Sequence, residues 1–162
     1  MSTKQVFIGV DPGTQGGITA LVVDGGSILK VEIYQLSKMT ERDIVLSLRR
    51  FAPRMKGEYR WHVHCVIEKS QPMPRQGVSS TFKYGTSYGF LRASLVAAGI
   101  PFEECGPKKW QKHLSMYRKA TEKDYAWKKR LKQKAQQLFP DAHIVQETGD
   151  SALIAYYTMA TS

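Results

Sequence analysis

Val6-Phe7-Ile8-Gly9-Val10-Asp11-Pro12-Gly13-Thr14-Gln15-Gly16-Gly17-Ile18 is the stretch from which the fold is read. An apolar run ends in a glycine-rich turn, and a second apolar run, Ile18 to Val23, follows at once. The pattern reads as strand, tight turn, strand, with one carboxylate at the turn. An Asp among glycines binds metal or phosphate about as often as it simply makes a turn, so partners elsewhere in the chain must decide the role of Asp11.

Outward from this turn, Asp24-Gly25-Gly26 marks a hairpin and Ile28 to Tyr34 a third, antiparallel strand. Thr40 caps a helix with Glu41 and Asp43 in its first turn and an apolar stripe of Ile44, Val45, Leu48 and Phe51; Pro53 ends it. Arg60 to Glu68 reads as a strand. Alternation puts Trp61, Val63, Cys65 and Ile67 on one face and His62, His64, Val66 and Glu68 on the other. Gln71-Pro72-Met73-Pro74 breaks the pattern, and Arg75 to Ser80 reads as a loop.

A helix from Thr81 to Ala98 follows, stopped by Gly99. Its Gly85 and Gly89 share a face and read as the place of a helix crossing. Ile100 to Cys105 is a short strand, and Pro107-Lys108-Lys109-Trp110-Gln111-Lys112 opens a short basic helix or loop. Thr121-x-x-Asp124 resembles a capping box at the head of a helix reaching Phe139, with Trp127, Leu131, Ala135, Leu138 and Phe139 as its buried stripe. The last helix spans Asp150 to Met159. The elements make a mixed sheet with helices on its faces, an α/β layer fold.

Length suits one domain, 1–162, with room for a sizeable core. No apolar run approaches the ~20 residues that span a bilayer, so no membrane role is expected. Met1-Ser2-Thr3-Lys4 passes straight into a strand, which leaves no room for a leader. Cys65 and Cys105 lack metal-ligand spacing and read as buried free thiols. His62-x-His64 is far more often structural than ligating on a strand.

The charge is uneven. The chain carries 24 Lys+Arg against 14 Asp+Glu, and the segment Lys108 to Lys134 holds eleven of the bases with two acids, Glu122 and Asp124. One block thus carries nearly the whole excess of +10. Such a block suits a polyanion, because neutralised phosphates release condensed counterions. A solvated helix face is the plainer alternative.

Four acids stand at element boundaries: Asp11 ends the first strand, Glu68 the fourth, and Glu147 and Asp150 flank the start of the last helix. Carboxylates at strand ends and a helix start can converge on one sheet edge, where mutual repulsion would raise their pKa values and a divalent cation would relieve it. Hard oxygen donors favour Mg²⁺, with Mn²⁺ as substitute, over zinc. Two such ions could activate water and stabilise the leaving oxygen in phosphodiester cleavage. Taken singly, each acid is equally well a turn, strand-end or helix-start residue.

Ile8-Gly9-Val10-Asp11-Pro12-Gly13-Thr14, Val66-Ile67-Glu68 and Glu147-x-x-Asp150-Ser151-Ala152-Leu153-Ile154-Ala155, in this order and spacing, resemble the motifs of RuvC-type Holliday junction resolvases. Phe82-Lys83-Tyr84-Gly85-Thr86-Ser87-Tyr88-Gly89 resembles the glycine-bearing helix after that family's second acid. Pro107-x-x-Trp110-Gln111-Lys112 and Gln137-Leu138-Phe139-Pro140 look like its compact phage and chloroplast branch. The resemblance implies an RNase H-like fold with a mixed five-stranded sheet, three antiparallel strands then two parallel. It implies a homodimer acting on four-way branched DNA, with paired symmetric nicks and no nucleotide cofactor.

Asp11, Glu68, Glu147 and Asp150 would take the family's metal-ligand positions, Glu147 standing where Asp is commoner. Lys123 falls where the family has a basic residue near the scissile phosphate, with Lys112 near a second such place. Lys108, Lys109, Lys119, Lys128 and Arg130 join them as expected DNA contacts, as do Arg75, Gln76 and Lys83 beside the second acid. Phe82 could wedge into a junction centre or pack in the core. Trp110 and Trp127 read as core. The cytoplasm of a bacterial or phage-infected cell is the expected location.

Rival readings are three. The Asp-Pro-Gly-Thr turn also resembles the first phosphate loop of sugar kinases and actin-like ATPases, which need two such domains. A small YqgF-type RNA-processing nuclease shares the fold and size, but the basic helix and Pro-x-x-Trp segment favour the resolvase. A junction-binding protein with a degenerate site is opposed by the presence of all four acids.

Overall fold

The structure, a computed structural model, describes residues 4–53, 61–69, 71–72 and 74–162. Met1-Ser2-Thr3, the Arg60 end of the fourth strand, and Met73 lie outside the described residues. A five-stranded sheet is built from β1 (Gln5–Asp11), β2 (Gly17–Asp24), β3 (Ser27–Gln35), β4 (His62–Glu68) and β5 (Phe102–Cys105), in the order β3-β2-β1-β4-β5. β1–β2 and β2–β3 are antiparallel, and β1–β4 and β4–β5 parallel, as expected from the sequence. Helices α1 (Glu41–Arg50) and α2 (Val78–Ala97) cover one face. α3 (Pro107–His113), α4 (Asp124–Leu138) and α5 (Gly149–Thr161) cover the other.

Strand alternation assigns the two cores. Val6, Ile8, Val10, Val63, Cys65 and Ile67 face α1 and α2, together with Leu48, Leu91 and Leu95. Phe7 and Val66 face the opposite layer, with Trp110, Trp127, Leu131 and Leu153. Asp11 and Glu68 continue the second parity, so both carboxylates rise on the α3–α4–α5 side. Val10 is paired with Ile67 in the parallel ladder, which sets Asp11 and Glu68 side by side one residue further on, at the C-terminal edge of the sheet.

α5 lies directly on β1. A Cβ at Gly9 would fall 2.2 Å from the Ala155 nitrogen and 2.3 Å from the Ser151 oxygen, so only glycine admits this approach. The helix is apolar nearly all round, as a helix sandwiched between a sheet and its neighbours should be. Its buried hydroxyls are satisfied: Ser151 Oγ is 2.9 Å from Thr19 Oγ1, and Thr158 donates to the Ile154 carbonyl at 2.7 Å. No helix among the described residues is long and apolar enough to cross a membrane.

Three local expectations are corrected. The Thr121–Asp124 capping box does not form. α4 begins at Asp124 behind Lys123, and Asp124 instead pairs with Arg118, whose guanidinium also bonds the Glu122 carbonyl at 3.0 Å. α2 starts at Val78, inside the expected loop, because Thr81 N–H reaches the Gly77 carbonyl at 3.0 Å and begins the ladder early. Gly85 and Gly89 make no helix crossing: a Cβ at either would meet open space. At Thr40 the expected cap is present as a full capping box with Asp43.

Candidate active site

The turn after β1 is tied down by its own backbone. Gly16 N–H donates to the Gly13 carbonyl at 2.8 Å, Leu36 N–H to the Gly16 carbonyl at 3.0 Å, and Gly13 N–H to Asp11 Oδ1 at 3.2 Å. The last of these fixes the rotation of the Asp11 carboxylate. Beside it, Trp110, fully buried in α3, donates its indole N–H to Glu68 Oε2 at 2.7 Å. Trp110 is therefore core, as expected, and also orients a site acid, a role its basic setting, Lys108-Lys109-Trp110-Gln111-Lys112, does not suggest.

α4 brings the third part. It crosses α5 where a Cβ on Gly149 would sit 3.2 Å from the Lys132 Cα, so the two backbones nearly touch there. Lys128 lies one turn before Lys132 on the same face, next to the residue after Gly149. Its ammonium pairs with Asp150 Oδ2. Asp150 is 5 % exposed, and its other oxygen, Oδ1, is buried with no hydrogen-bond partner among the described residues. Glu147 sits in the 3-10 turn Gln146–Thr148 just ahead of α5.

Asp11, Glu68, Lys128 and Glu147 line one cleft of about 480 Å³, together with Tyr84 and the turn from Gly13 to Gly16. A second cleft continues from Glu68 and Tyr84 to Gln71, Gln76 and Pro107. Burial first, and the Asp150 charge second, push the Asp11 carboxyl up to about 6. Burial, then Asp11, raises Glu68 to about 8, against the indole hydrogen bond. Burial opposes the Lys128 charge, but Asp150, Asp11 and Glu68 outweigh it and hold the ammonium above its ordinary range. Asp11, Glu68 and Asp150 therefore share one electrostatic environment although 139 positions separate the first from the last.

The donor set suits a hard divalent ion: carboxylate oxygens only, two of them repelling each other, one buried oxygen waiting for a partner. Among the described residues, no group of three or more His, Cys, Asp or Glu side chains is arranged so that it could hold a metal ion. Lys128 is the cation paired with Asp150, and it lines the same cleft as Asp11 and Glu68. His62 is exposed, and His64 stacks on Phe7 with ring centroids 5.3 Å apart.

The remaining expected DNA contacts fall in three settings. Lys108, Lys109, Lys112, Lys119 and Lys123 are exposed along α3 and the approach to α4. Lys123 stands at the head of α4, five residues before Lys128. Arg130 is held by Glu122 at 2.9 Å and lies over the Trp127 ring, so it braces the approach to α4. Phe82 is 75 % exposed, which removes the core alternative for it, and Lys83 beside it is exposed too. Arg75 precedes α2 with φ 67°, an uncommon conformation for a residue with a side chain. Gln76 lines the second cleft.

No protein-family model and no curated protein sequence matches the chain. Solved structures do. RuvC of T. thermophilus in complex with Holliday junction substrate superposes with a TM-score of 0.59 at 19% identity, over 94% of this chain and 91% of that one. A second structure, of Thermus thermophilus RuvC, gives 0.57 at 17% identity, over 94% and 92%. The chain has the RNase H-like fold of RuvC along nearly its whole length.

Proposed function

We propose that this protein is a Holliday junction resolvase, an endodeoxyribonuclease that needs a divalent metal and makes paired symmetric nicks in four-way DNA. The observation that carries the reading is that Asp11 and Glu68, from β1 and β4, line one cleft with Glu147 and Lys128, and that Lys128 ties in Asp150 of α5, whose charge acts on both strand-end acids. The fold shared with RuvC, one of whose structures holds a Holliday junction, supports it. On this reading the whole chain acts as one nuclease domain, and the resemblance of the quoted motifs to the compact branch of the family supports a member of that branch.

Asp11, Glu68, Asp150 and Glu147 would hold Mg²⁺, or Mn²⁺ in its place. A cation so held would activate water and stabilise the leaving oxygen of a phosphodiester. The chain's own residues do the rest. Gly13 N–H and the Trp110 indole fix the two strand-end carboxylates, so little reorganisation is needed when substrate arrives. Lys108, Lys109, Lys112 and Lys119 draw the DNA backbone across α3. Lys123 is poised near the incoming strand. Phe82, standing out from α2, offers a ring on which an unpaired base at the junction centre can stack. Two symmetric incisions need two such sites, hence a homodimer.

A synthetic four-way junction with each strand end-labelled in turn tests the reading. Mg²⁺-dependent nicks at symmetric positions, lost in Asp11→Asn while junction binding persists, are expected. Binding without cleavage under Mg²⁺ and Mn²⁺ would indicate a junction-binding protein instead, and cleavage confined to RNA would indicate the YqgF-type activity.

A further inference from the structure

The basic run of α4 contains Lys128 and Lys129 as neighbours, yet they face different worlds. Lys129 is exposed, whereas Lys128 reaches Asp150 and lines the acid cleft. Its position is set by close backbone approach, since the Gly149–Lys132 crossing fixes α4 against the head of α5. The ammonium pairs with Asp150 and shares its cleft with Asp11 and Glu68. It engages one oxygen of Asp150 and leaves the other buried without a partner among the described residues.

We infer that Lys128 is a tethered stand-in for the metal: it neutralises Asp150 in the unloaded site, competes with the divalent ion for that carboxylate, and is released toward the cleft when the ion binds. The inference rests on the metal-centre reading above and adds a positioning role for this side chain. It has two consequences. The unloaded acids keep a counter-charge, which lets the site fold before metal arrives. Metal binding and exposure of a phosphate-seeking ammonium become one event, because a group that opposes binding must be displaced by it.

Binding of Mn²⁺ to the whole metal-free protein without DNA, followed by the electron paramagnetic resonance of free Mn²⁺, tests this directly. Lys128→Met keeps the length of the side chain and removes the charge; it is expected to bind Mn²⁺ about tenfold more tightly than the wild type. Lys128→Arg, which keeps a cation, is expected to stay within about twofold of the wild type. In the wild type, Mg²⁺ is expected to raise amine-reactive labelling of Lys128 severalfold while Lys129 stays constant. Unchanged or weaker Mn²⁺ binding in Lys128→Met, or labelling of Lys128 indifferent to Mg²⁺, overturns the inference. If Lys128→Met does not fold, the labelling experiment on the wild type decides alone. Asp11→Asn separates the two levels. Should it leave Mn²⁺ binding intact, the metal-centre reading itself fails; should it weaken binding while Lys128→Met changes nothing, only the stand-in role fails.

Discussion

Trp110 and Glu68 meet in a 2.7 Å hydrogen bond, with the buried indole N–H donating to Oε2 of the acid that ends β4. The bond joins the core to the chemistry. One carboxylate oxygen is committed to the protein, and the residue lines the cleft. Trp110→Phe keeps most of the apolar volume and deletes the donor. It is expected to cost about 1–2 kcal/mol of stability, from the missing hydrogen bond and the smaller ring. Junction cleavage is expected to fall about tenfold at saturating Mg²⁺, with DNA affinity nearly unchanged. Thermal melts and single-turnover cleavage read the two effects separately.

The raised carboxyls set a pH dependence. Asp11 goes from 3.8 to about 6 and Glu68 from 4.5 to about 8, so the folded state holds these protons more tightly than the unfolded chain does. Their contribution to stability is full below the unfolded values and is lost as pH rises through about 6 and then about 8. The melting temperature of the metal-free protein should therefore fall across this range. Glu68→Gln, which can still accept from the indole, should flatten the upper part and melt roughly 3 °C or more above the wild type at pH 8. Mg²⁺ binding at the proposed centre would release the same protons, so its apparent affinity should rise with pH over that window. Calorimetry in a pH series checks both trends.

Glycine substitutions should divide sharply. Gly9→Ala puts a methyl 2.2 Å from the Ala155 nitrogen, in a place closed by backbone on both sides. It should destabilise by roughly 3 kcal/mol or more and separate β1 from α5, and with them Asp11 from Asp150. Gly85→Ala adds a methyl into open space on α2 and should stabilise the isolated chain by about 0.8 kcal/mol. Urea denaturation of the two variants tests the contrast.

The basic residues should also divide. Changing Lys108, Lys109 and Lys112 to Gln, one at a time, should weaken junction binding and reduce the salt slope by up to about 1 for each phosphate that is no longer neutralised. Arg130→Gln breaks the Glu122 pair and removes the guanidinium from the Trp127 ring, so its main effect should be a lower melting temperature. Binding titrations at several salt concentrations, paired with melts, distinguish the groups.

Much of this arrangement was legible in the residues. Gly and Pro punctuate the Asp11 turn, and alternation along β4 places Glu68 opposite Ile67, so two acids could be set on strand ends before any geometry was known. What stayed hidden depends on neighbours distant in sequence. Nothing local distinguishes Lys128 from Lys129; the α4–α5 crossing at Gly149 does. The indole of Trp110 reaches Glu68 across 42 positions. Thr121 matched a capping pattern, yet Arg118 claimed Asp124 and the Glu122 carbonyl, and the helix began later. Gly85 and Gly89 suggested a crossing because spacing shows that two glycines share a face, but not what faces them.

Asp11, Glu68, Asp150 and Glu147 are proposed to form one metal centre. Crystals grown without metal and soaked in Mn²⁺, measured at the manganese absorption edge, test it most directly. The account predicts anomalous density bounded by carboxylate oxygens of Asp11, Glu68 and Asp150, and its disappearance in Asp11→Asn crystals. Soaked crystals with no anomalous density in this cleft, or with Mn²⁺ bound only elsewhere on the chain, would contradict it.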